Sequence, residues 1–565
     1  MHRVLEIPEL QLAIAQELIP PETGWYRRRT DLHMLSLVSH SWRSIAEPMR
    51  WEEGSDLDDI LRILPTDAWA MSEVNLMDCR GHTSSYRKRW IHRQLESHDW
   101  SALMSRTRFV RSFTLCQHVG LQETFGSLLP TMPPADVLFP KLLELVLAMD
   151  DYCLTQFTSI HAAFILAITP NLARLVIKNS CCVPSHAYID TLSQLARRSH
   201  GLQSVIFDTR YACSDPATLP MDDGPSPYRN FLQAIHFCPL LTTVKLDFYA
   251  STYDSHIIAI LAANPNLQSL ALELERLDPD DLDILDEIDQ SEALLLERGM
   301  IPIPTPSFPS LRDICSVQLP QAILRALIAA GNHTIPLSSL RLHTDIPDYA
   351  DFHGTLSAVR TGCDPATLTE LSVVYFCKVL TDDTTINVLD LPSLAPISSF
   401  ARLSVVKLDG LAWVNLSDAD YAEVARWWPE LVSLAFVTDR STPACSLAAL
   451  IPFRLSCPRL EFLELALSAE EAPTIPSSDT RLSTTAPASP RFELFVRDSP
   501  IAEDVDSVAL FLFSLFPTIQ KVSYDLACDD EDFHQKNWDA EVVQERRAAW
   551  GKVNELIGNY RNACM

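Results

Sequence analysis

Glycine is scarce in this sequence, with 14 residues in 565. Phosphate-cradling loops and dinucleotide fingerprints need several glycines close together, so that backbone can approach the ligand. Neither is expected here. The 14 cysteines include no CxxC pair, which argues against a zinc site and against a disulfide framework. Reduced thiols in a cytoplasmic and/or nuclear protein are the expectation. No stretch of about 18 apolar residues runs free of charge, so no transmembrane helix is predicted and no membrane partner is expected. Glu6 and Pro8 interrupt the N-terminal segment, which therefore does not read as a secretory signal. GxSxG, HExxH and the Walker lysine loop are all missing. The 16 histidines are scattered, and His92 and His98 stand six apart, a poor ligand spacing on one helix. No catalytic residue, metal ligand or cofactor is assigned, and an enzyme is not expected.

Positive charge is short as well. The chain carries 45 Lys and Arg against 73 Asp and Glu, a formal net charge of −28. A polyanion would be repelled on average, so no nucleic-acid partner is expected. One local basic run, Arg87, Lys88, Arg89 and Arg93, reads as a solvated helix face.

Proline is plentiful instead, with 38 residues, and it recurs in a phrase. Pro140 is followed by Leu142, Leu145 and Leu147, and Pro170 by Leu172, Leu175 and Ile177. Pro239 is followed by Leu241, Val244 and Leu246, and Pro265 by Leu267, Leu270 and Leu272. Pro429, Pro458 and Pro517 open later copies. Weaker copies start at Val110, Leu202, Leu311, Leu337, Leu368 and Leu403. From Val110 to Leu460 the phrase makes eleven intervals over 350 residues, and single spacings run from 26 to 44.

The phrase has a physical reading. Its last two apolar positions are two apart and so share one face of a short strand. The residue before a proline is pushed out of the helical region, so the proline stops a preceding helix. Upstream segments such as Ile189, Leu192 and Leu195, or Val505, Val508, Leu512 and Leu515, have helical spacing. Each unit is then helix, stop, strand. A single unit cannot bury its apolar face, so neighbours must stack. A purely helical HEAT-type stack is the rival, and it predicts no alternating strands.

This pattern resembles leucine-rich repeats over about 410 residues. It departs from the family in its long irregular period and in lacking most of the asparagines or cysteines that follow the strand. The fold class expected is an α/β solenoid, a curved leucine-rich-repeat array over 108–525. Leu145, Leu175, Val244, Leu270, Leu434 and Leu463 are expected in its core. Two stretches break the array: 278–309, acidic and then proline-rich, and the Ser/Thr/Pro-rich 468–490, read as a mobile loop. At the C-terminus, 526–565, an apolar stripe of Trp538, Val542, Trp550, Val553 and Ile557 suggests a capping helix.

The N-terminus has another texture. Ile7-Pro8-Glu9-Leu10 opens a stripe of Leu10, Ile14 and Leu18 at spacing four, which Pro20-Pro21 ends. Then come Asp31, Leu32, Leu35, Val38, Ser39, Trp42, Arg43, Ala46 and Trp51. This order resembles the F-box, with a longer inter-helix connection from Pro20 to Thr30. The module is placed at 1–70, helical as far as Leu64 and standing off one end of the array, with a helical linker over 71–107. The whole layout is similar to large, divergent fungal F-box proteins.

The resemblance implies a substrate-recognition subunit of a Skp–cullin–F-box ubiquitin ligase. It implies a Skp-family adaptor as partner, docked on Ile7, Pro8, Leu10, Ile14, Leu32, Leu35, Val38 and Trp42, some of which must instead hold the module's own core. It also implies an unknown protein substrate. The alternative is a non-catalytic leucine-rich-repeat scaffold unconnected to ubiquitin. In either case the residues flanking the core positions of each strand face the concave surface. They include Arg174, Val176, Thr243, Lys245, Ser269, Glu370, Lys407, Phe462 and Glu464. No single sign of charge dominates this set, which suits a protein partner.

Overall fold

The computed structural model describes residues 7–18, 25–54, 60–77, 83–117, 138–149, 165, 172–179, 186–208, 228–248, 256–274, 307–317, 328, 334–344, 352–375, 388–411, 413–438, 443–473, 491–497, 499–524 and 540–564. Contacts divide the chain into two compact units, Met1–Leu267 and Gln268–Met565. The protein is mixed α/β, and each unit is built on parallel strands.

Unit 1 opens with three helices, α1 (Pro8–Leu18), α2 (Trp25–Ser36) and α3 (His40–Glu52). A two-residue strand, β1 (Glu53–Gly54), comes directly after them. Next come β2 (Trp69–Met77), β3 (Thr83–Ile91), α4 (Ser97–Thr107), β4 (Ser112–Gln117), β5 (Glu144–Met149) and β6 (Arg174–Asn179). The unit continues with α5 (His186–Arg198), β7 (Ser204–Asp208), α6 (Tyr228–His236), β8 (Thr243–Phe248) and α7 (His256–Ala262). Strands β1, β4, β5, β6, β7 and β8 lie side by side in that order, all parallel.

Unit 2 repeats the theme through β9 (Ser269–Leu274), β10 (Asp313–Val317), β11 (Ser339–Thr344), α8 (Phe352–Gly362) and β12 (Glu370–Tyr375). The small elements β13 (Val388–Leu389) and α9 (Leu391–Leu394) precede β14 (Val405–Leu411) and β15 (Trp413–Val414). The chain then forms α10 (Asp418–Trp427), β16 (Ser433–Thr438), α11 (Leu450–Ser456), β17 (Phe462–Glu464), β18 (Phe492–Phe495), α12 (Val505–Leu515), β19 (Ile519–Ser523) and α13 (Ala540–Cys564). Its strands run β9-β10-β11-β12-β14-β16-β17-β18-β19, again parallel, while β13 pairs with β15.

The recurring phrase is a turn and then a strand. The N–H of its first apolar residue donates to the carbonyl three residues back: Leu142 to Phe139, Leu202 to Ser199, Leu241 to Cys238, Leu431 to Trp428 and Leu460 to Cys457. The next two N–H groups then share one carbonyl of the preceding turn. Leu143 and Glu144 both donate to Arg111, Ala173 and Arg174 to Leu143, and Gln203 and Ser204 to Ala173. Unit 2 does the same from Gln268, through Arg312, Ser338, Thr369 and Ser404, to Val432. This ladder sets the register, so that Leu145 meets Leu175 and Leu434 meets Leu463. A one-residue slip would turn every buried side chain outward. The six expected core residues are all buried, as are Ile189, Leu192 and Leu195 on α5. The strands exclude a purely helical stack.

Several expectations need correction. The linker 71–107 is not helical: it holds the antiparallel hairpin β2–β3, with only α4 at its end. Arg87, Lys88 and Arg89 of the basic run therefore lie on a strand, and Arg93 just beyond it, not on a helix face. The N-terminal module is not helical to Leu64 and does not stand off, because β1 pairs in parallel with β4. Part of the Pro20–Thr30 connection is helix, since α2 begins at Trp25. At the C-terminus Trp550, Val553 and Ile557 are buried but Val542 is exposed, so the packed stripe starts at Trp550. Trp538, nearly all of 278–309 and residues 474–490 lie outside the described residues.

Candidate functional site

The first candidate surface is on the N-terminal helices. Leu32 on α2 and Ala46 on α3 are buried together, with Leu35 and Met49 packed against them. Trp42 is also buried, and Ser41 Oγ on α3 donates to Gln11 Oε1 on α1 at 2.7 Å. Leu32 and Trp42 are thus structural, which corrects their assignment to a partner. Ile14 and Leu35 are half-buried. Ile7, Pro8, Leu10 and Val38 are exposed, and three further apolar residues join them: Leu12, Met34 and Leu37. Met34 and Leu37, at 60% and 62% exposure, are the most open of this group. A concentration of large exposed apolar side chains on so small a module marks a contact surface.

The module is tied to α4 and to the head of β4. Glu47, buried on α3, accepts from Trp51 Nε1 at 3.1 Å and from Arg106 of α4 at 2.7 Å. Glu52 O accepts the Arg111 N–H at 2.8 Å, just before β4.

The second candidate surface is the open face of the strands. In unit 1 the rows across the sheet can be read from the register. One row holds Ser112, Glu144, Arg174, Ser204 and Thr243, and the next holds Thr114, Val146, Val176, Ile206 and Lys245. Arg174 Nε lies 3.2 Å from Glu144, and Ser112 Oγ donates to the same carboxylate at 2.9 Å. Lys245 faces Asp247 at 3.6 Å. Val176 is buried at 6% exposure, so it offers less to a partner than the sequence suggested.

In unit 2 one row runs Asp313, Ser339, Glu370, Val405, Ser433, Phe462 and Glu493. Beside it run Cys315, Arg341, Ser372, Lys407, Ala435, Glu464 and Phe495. Ser269 pairs with Asp313 at the start of the first row. Arg341 forks onto Glu370 through two bonds of 2.7 and 2.9 Å, a geometry that suits guanidinium and carboxylate. This contact holds the Glu370 carboxyl below its usual range. Lys407 pairs with Asp409 at 3.0 Å. His343 is shifted towards its neutral form, chiefly by burial and then by Lys407.

Further along, Phe462 and Phe495 pack with ring centroids 5.0 Å apart, and Lys521 Nζ sits 5.8 Å from the Phe495 centroid. Glu464 is paired with Arg497, whose φ is 42°, and is itself buried at 9%. It too is less available than expected. Arg341, His343, Asp409 and Phe495 were not singled out in the sequence, although each stands at the position that alternation assigns to the open face.

Burial pushes the thiols of Cys363, Cys445 and Cys457 up to about 12, and that of Cys238 to about 11, so these sulfurs are protonated near neutrality. Among the described residues no three His, Cys, Asp or Glu side chains converge as metal ligands. No described helix is long and apolar enough to cross a membrane. No protein-family model matches the chain, and a search of curated proteins finds no match either.

Proposed function

We propose that this chain is a substrate-recognition subunit of a Skp–cullin–F-box ubiquitin ligase. The observation that carries the reading is the set of exposed apolar residues, Ile7, Pro8, Leu10 and Val38, at positions where the sequence resembles the F-box. In this reading they dock on a Skp-family adaptor, extended by Leu12, Met34 and Leu37. The helix–turn–strand units are degenerate leucine-rich repeats, and their open strand face holds the target protein through the mixed ionic and apolar rows described above. The ligase partners carry out ubiquitin transfer, and this chain supplies proximity. It acts in the cytoplasm, the nucleus or both, without a cofactor.

Truncating buried interface anchors costs roughly 2 kcal/mol or more, which is about thirtyfold at 1.4 kcal/mol per decade. The double change Pro8→Ala with Leu10→Ala is therefore expected to weaken adaptor binding by about that factor or more. Both residues are exposed in the chain, so its own fold is expected to survive, with an unchanged circular-dichroism spectrum. Undiminished binding to the adaptor, or no binding by the unmodified chain, would overturn the reading.

A further inference from the structure

A third surface of unit 1 lies where its helices run out into their turns, apart from the N-terminal helices and the open strand face. The turn after α6 sends its residues alternately inward and outward. Cys238 and Leu241 are buried, while Phe237 and Leu240 are 76% and 51% exposed. Phe237 is the most exposed large apolar side chain among the described residues. Its ring meets His236 edge to face, with centroids 5.3 Å apart. Two contacts bring the neighbouring helix ends to this turn. Cys238 Sγ donates to Ala196 O on α5 at 3.5 Å, and Asn266 Nδ2, beyond α7, donates to Pro239 O at 2.7 Å. Ala196 is followed directly by Arg197 and Arg198, both exposed. One edge thus carries two guanidinium groups beside two apolar side chains.

Arginines near the turns of unit 2 are engaged within the fold. Arg312 donates to Pro336 O at 2.9 Å, Arg402 to Ala366 O at 3.0 Å and Arg454 to Leu515 O at 3.2 Å. Among the described residues nothing pairs with Arg197 or Arg198. Along α5, α6, α7 and the turns that follow them, the one carboxylate is Asp190. It precedes Arg197 by seven residues, so it stands about 10 Å away along the helix. Cations at this helix end offset the negative end of the α5 dipole, which accounts for a charge there but not for the bare phenyl ring beside it. We propose that this edge binds an acidic amphipathic segment of a partner protein. Its apolar side chains cover Phe237 and Leu240, and its carboxylates pair with Arg197 and Arg198 in the forked geometry that guanidinium favours. A short segment meets the local positive charge, because screening limits the reach of the other charges to about 8 Å at physiological salt. An anionic membrane or a long nucleic acid would instead meet a chain of net charge −28 over a wide area. This inference does not depend on the adaptor reading.

The test uses the full chain and short fluorescent peptides. The first peptide combines Glu with Phe and Leu. The second has Lys in place of every Glu, and the third keeps the Glu but has Ser in place of Phe and Leu. Oligouridylate and vesicles of phosphatidylserine with phosphatidylcholine are the remaining probes. The first peptide is expected to bind at least about tenfold more tightly than the second or third, and more weakly as salt rises. Phe237→Ser with Leu240→Ser, and Arg197→Gln with Arg198→Gln, should each weaken it by at least about tenfold. All four side chains are exposed, so circular dichroism should not change. Leu143→Ser, at an exposed leucine in the turn before β5, should leave binding as it was. Equal binding of the third peptide would show charge attraction without an apolar anchor and overturn the proposal. Undiminished binding by either double variant, an equal loss in Leu143→Ser, tighter binding of vesicles or oligouridylate, or no binding of the first peptide would overturn it as well.

Discussion

Replacing Trp550 by alanine should open one end of unit 2 without unfolding the rest. Trp550 is 1% exposed on α13, and its indole N–H donates to Ser499 O at 3.0 Å. The helix also covers the last strand. Asn554 Oδ1 accepts the Val522 N–H at 3.0 Å, and Arg561 reaches Ile519 O at 2.6 Å and Gln520 O at 3.0 Å. An indole-to-methyl truncation in a core costs about 3–5 kcal/mol, and the unpartnered Ser499 carbonyl adds about 1 kcal/mol or more. At 1.4 kcal/mol per decade, a loss of about 4 kcal/mol raises the local opening constant about a thousandfold.

A chain with two compact units is a poor candidate for a single global transition, so the assay is native-state hydrogen exchange. Protection should fall in β18, β19, α12 and α13, while β4 to β7 keep theirs. Trp550→Phe retains most of the packing but loses the hydrogen bond, and should lower protection by about one decade. Uniform loss across both units, or no change around β19, would refute the assignment of α13 as a cap.

A second perturbation concerns Gly410, where β14 leaves register with β16 between Leu408 and Leu411. Its φ is +77°, and an added Cβ would lie 1.9 Å from Tyr375 O. Gly410→Ala should therefore destabilise unit 2 by at least about 1–3 kcal/mol, read as a shifted denaturation midpoint; wild-type stability would show that no such conformation is required. The third prediction concerns acid. Because Arg341 lowers the Glu370 pKa, the ion pair stabilises the fold above the ordinary carboxylate range, and that contribution is lost as pH falls through it. Glu370→Gln should flatten the acid limb of stability against pH by about 1 kcal/mol or less, since Arg341 is half exposed; an unchanged slope would show that the pair does not persist in solution.

The strands were the most legible part of the fold. The apolar pair two residues apart, held behind a proline stop, leaves few alternatives for Leu145 and Leu147 or for Leu463 and Leu465. The hairpin was hidden because a run of like charges has no period, and Arg87-Lys88-Arg89 fits a strand as well as a helix. At the N-terminus the motif named the right segment but not its inward and outward faces. Leu32 and Leu35 stand three residues apart, about 60° short of a full helical turn, so the first is buried and the second half-buried. Val38 lies beyond the end of α2 at Ser36 and is exposed. Which of these positions face α1 and α3 depends on packing between helices that no single-segment pattern contains.

The shared carbonyls at the head of each strand have an evolutionary consequence. The bonds that align neighbouring units are mainly main-chain, joined by a hydroxyl on the same carbonyl only at Thr242, Ser338, Thr369 and Ser404 among the described residues, and the side chains at the accepting positions include Arg, Leu, Ala, Gln, Ser, Thr and Val. Selection acting on alignment alone therefore has almost no residue identity to preserve there, apart from excluding proline at the two donor positions. The lengths between strands are similarly free, because each new strand is placed by the turn before it and not by the path that leads to it. Such a chain can gain, lose and rewrite intervening segments while its strands stay in step.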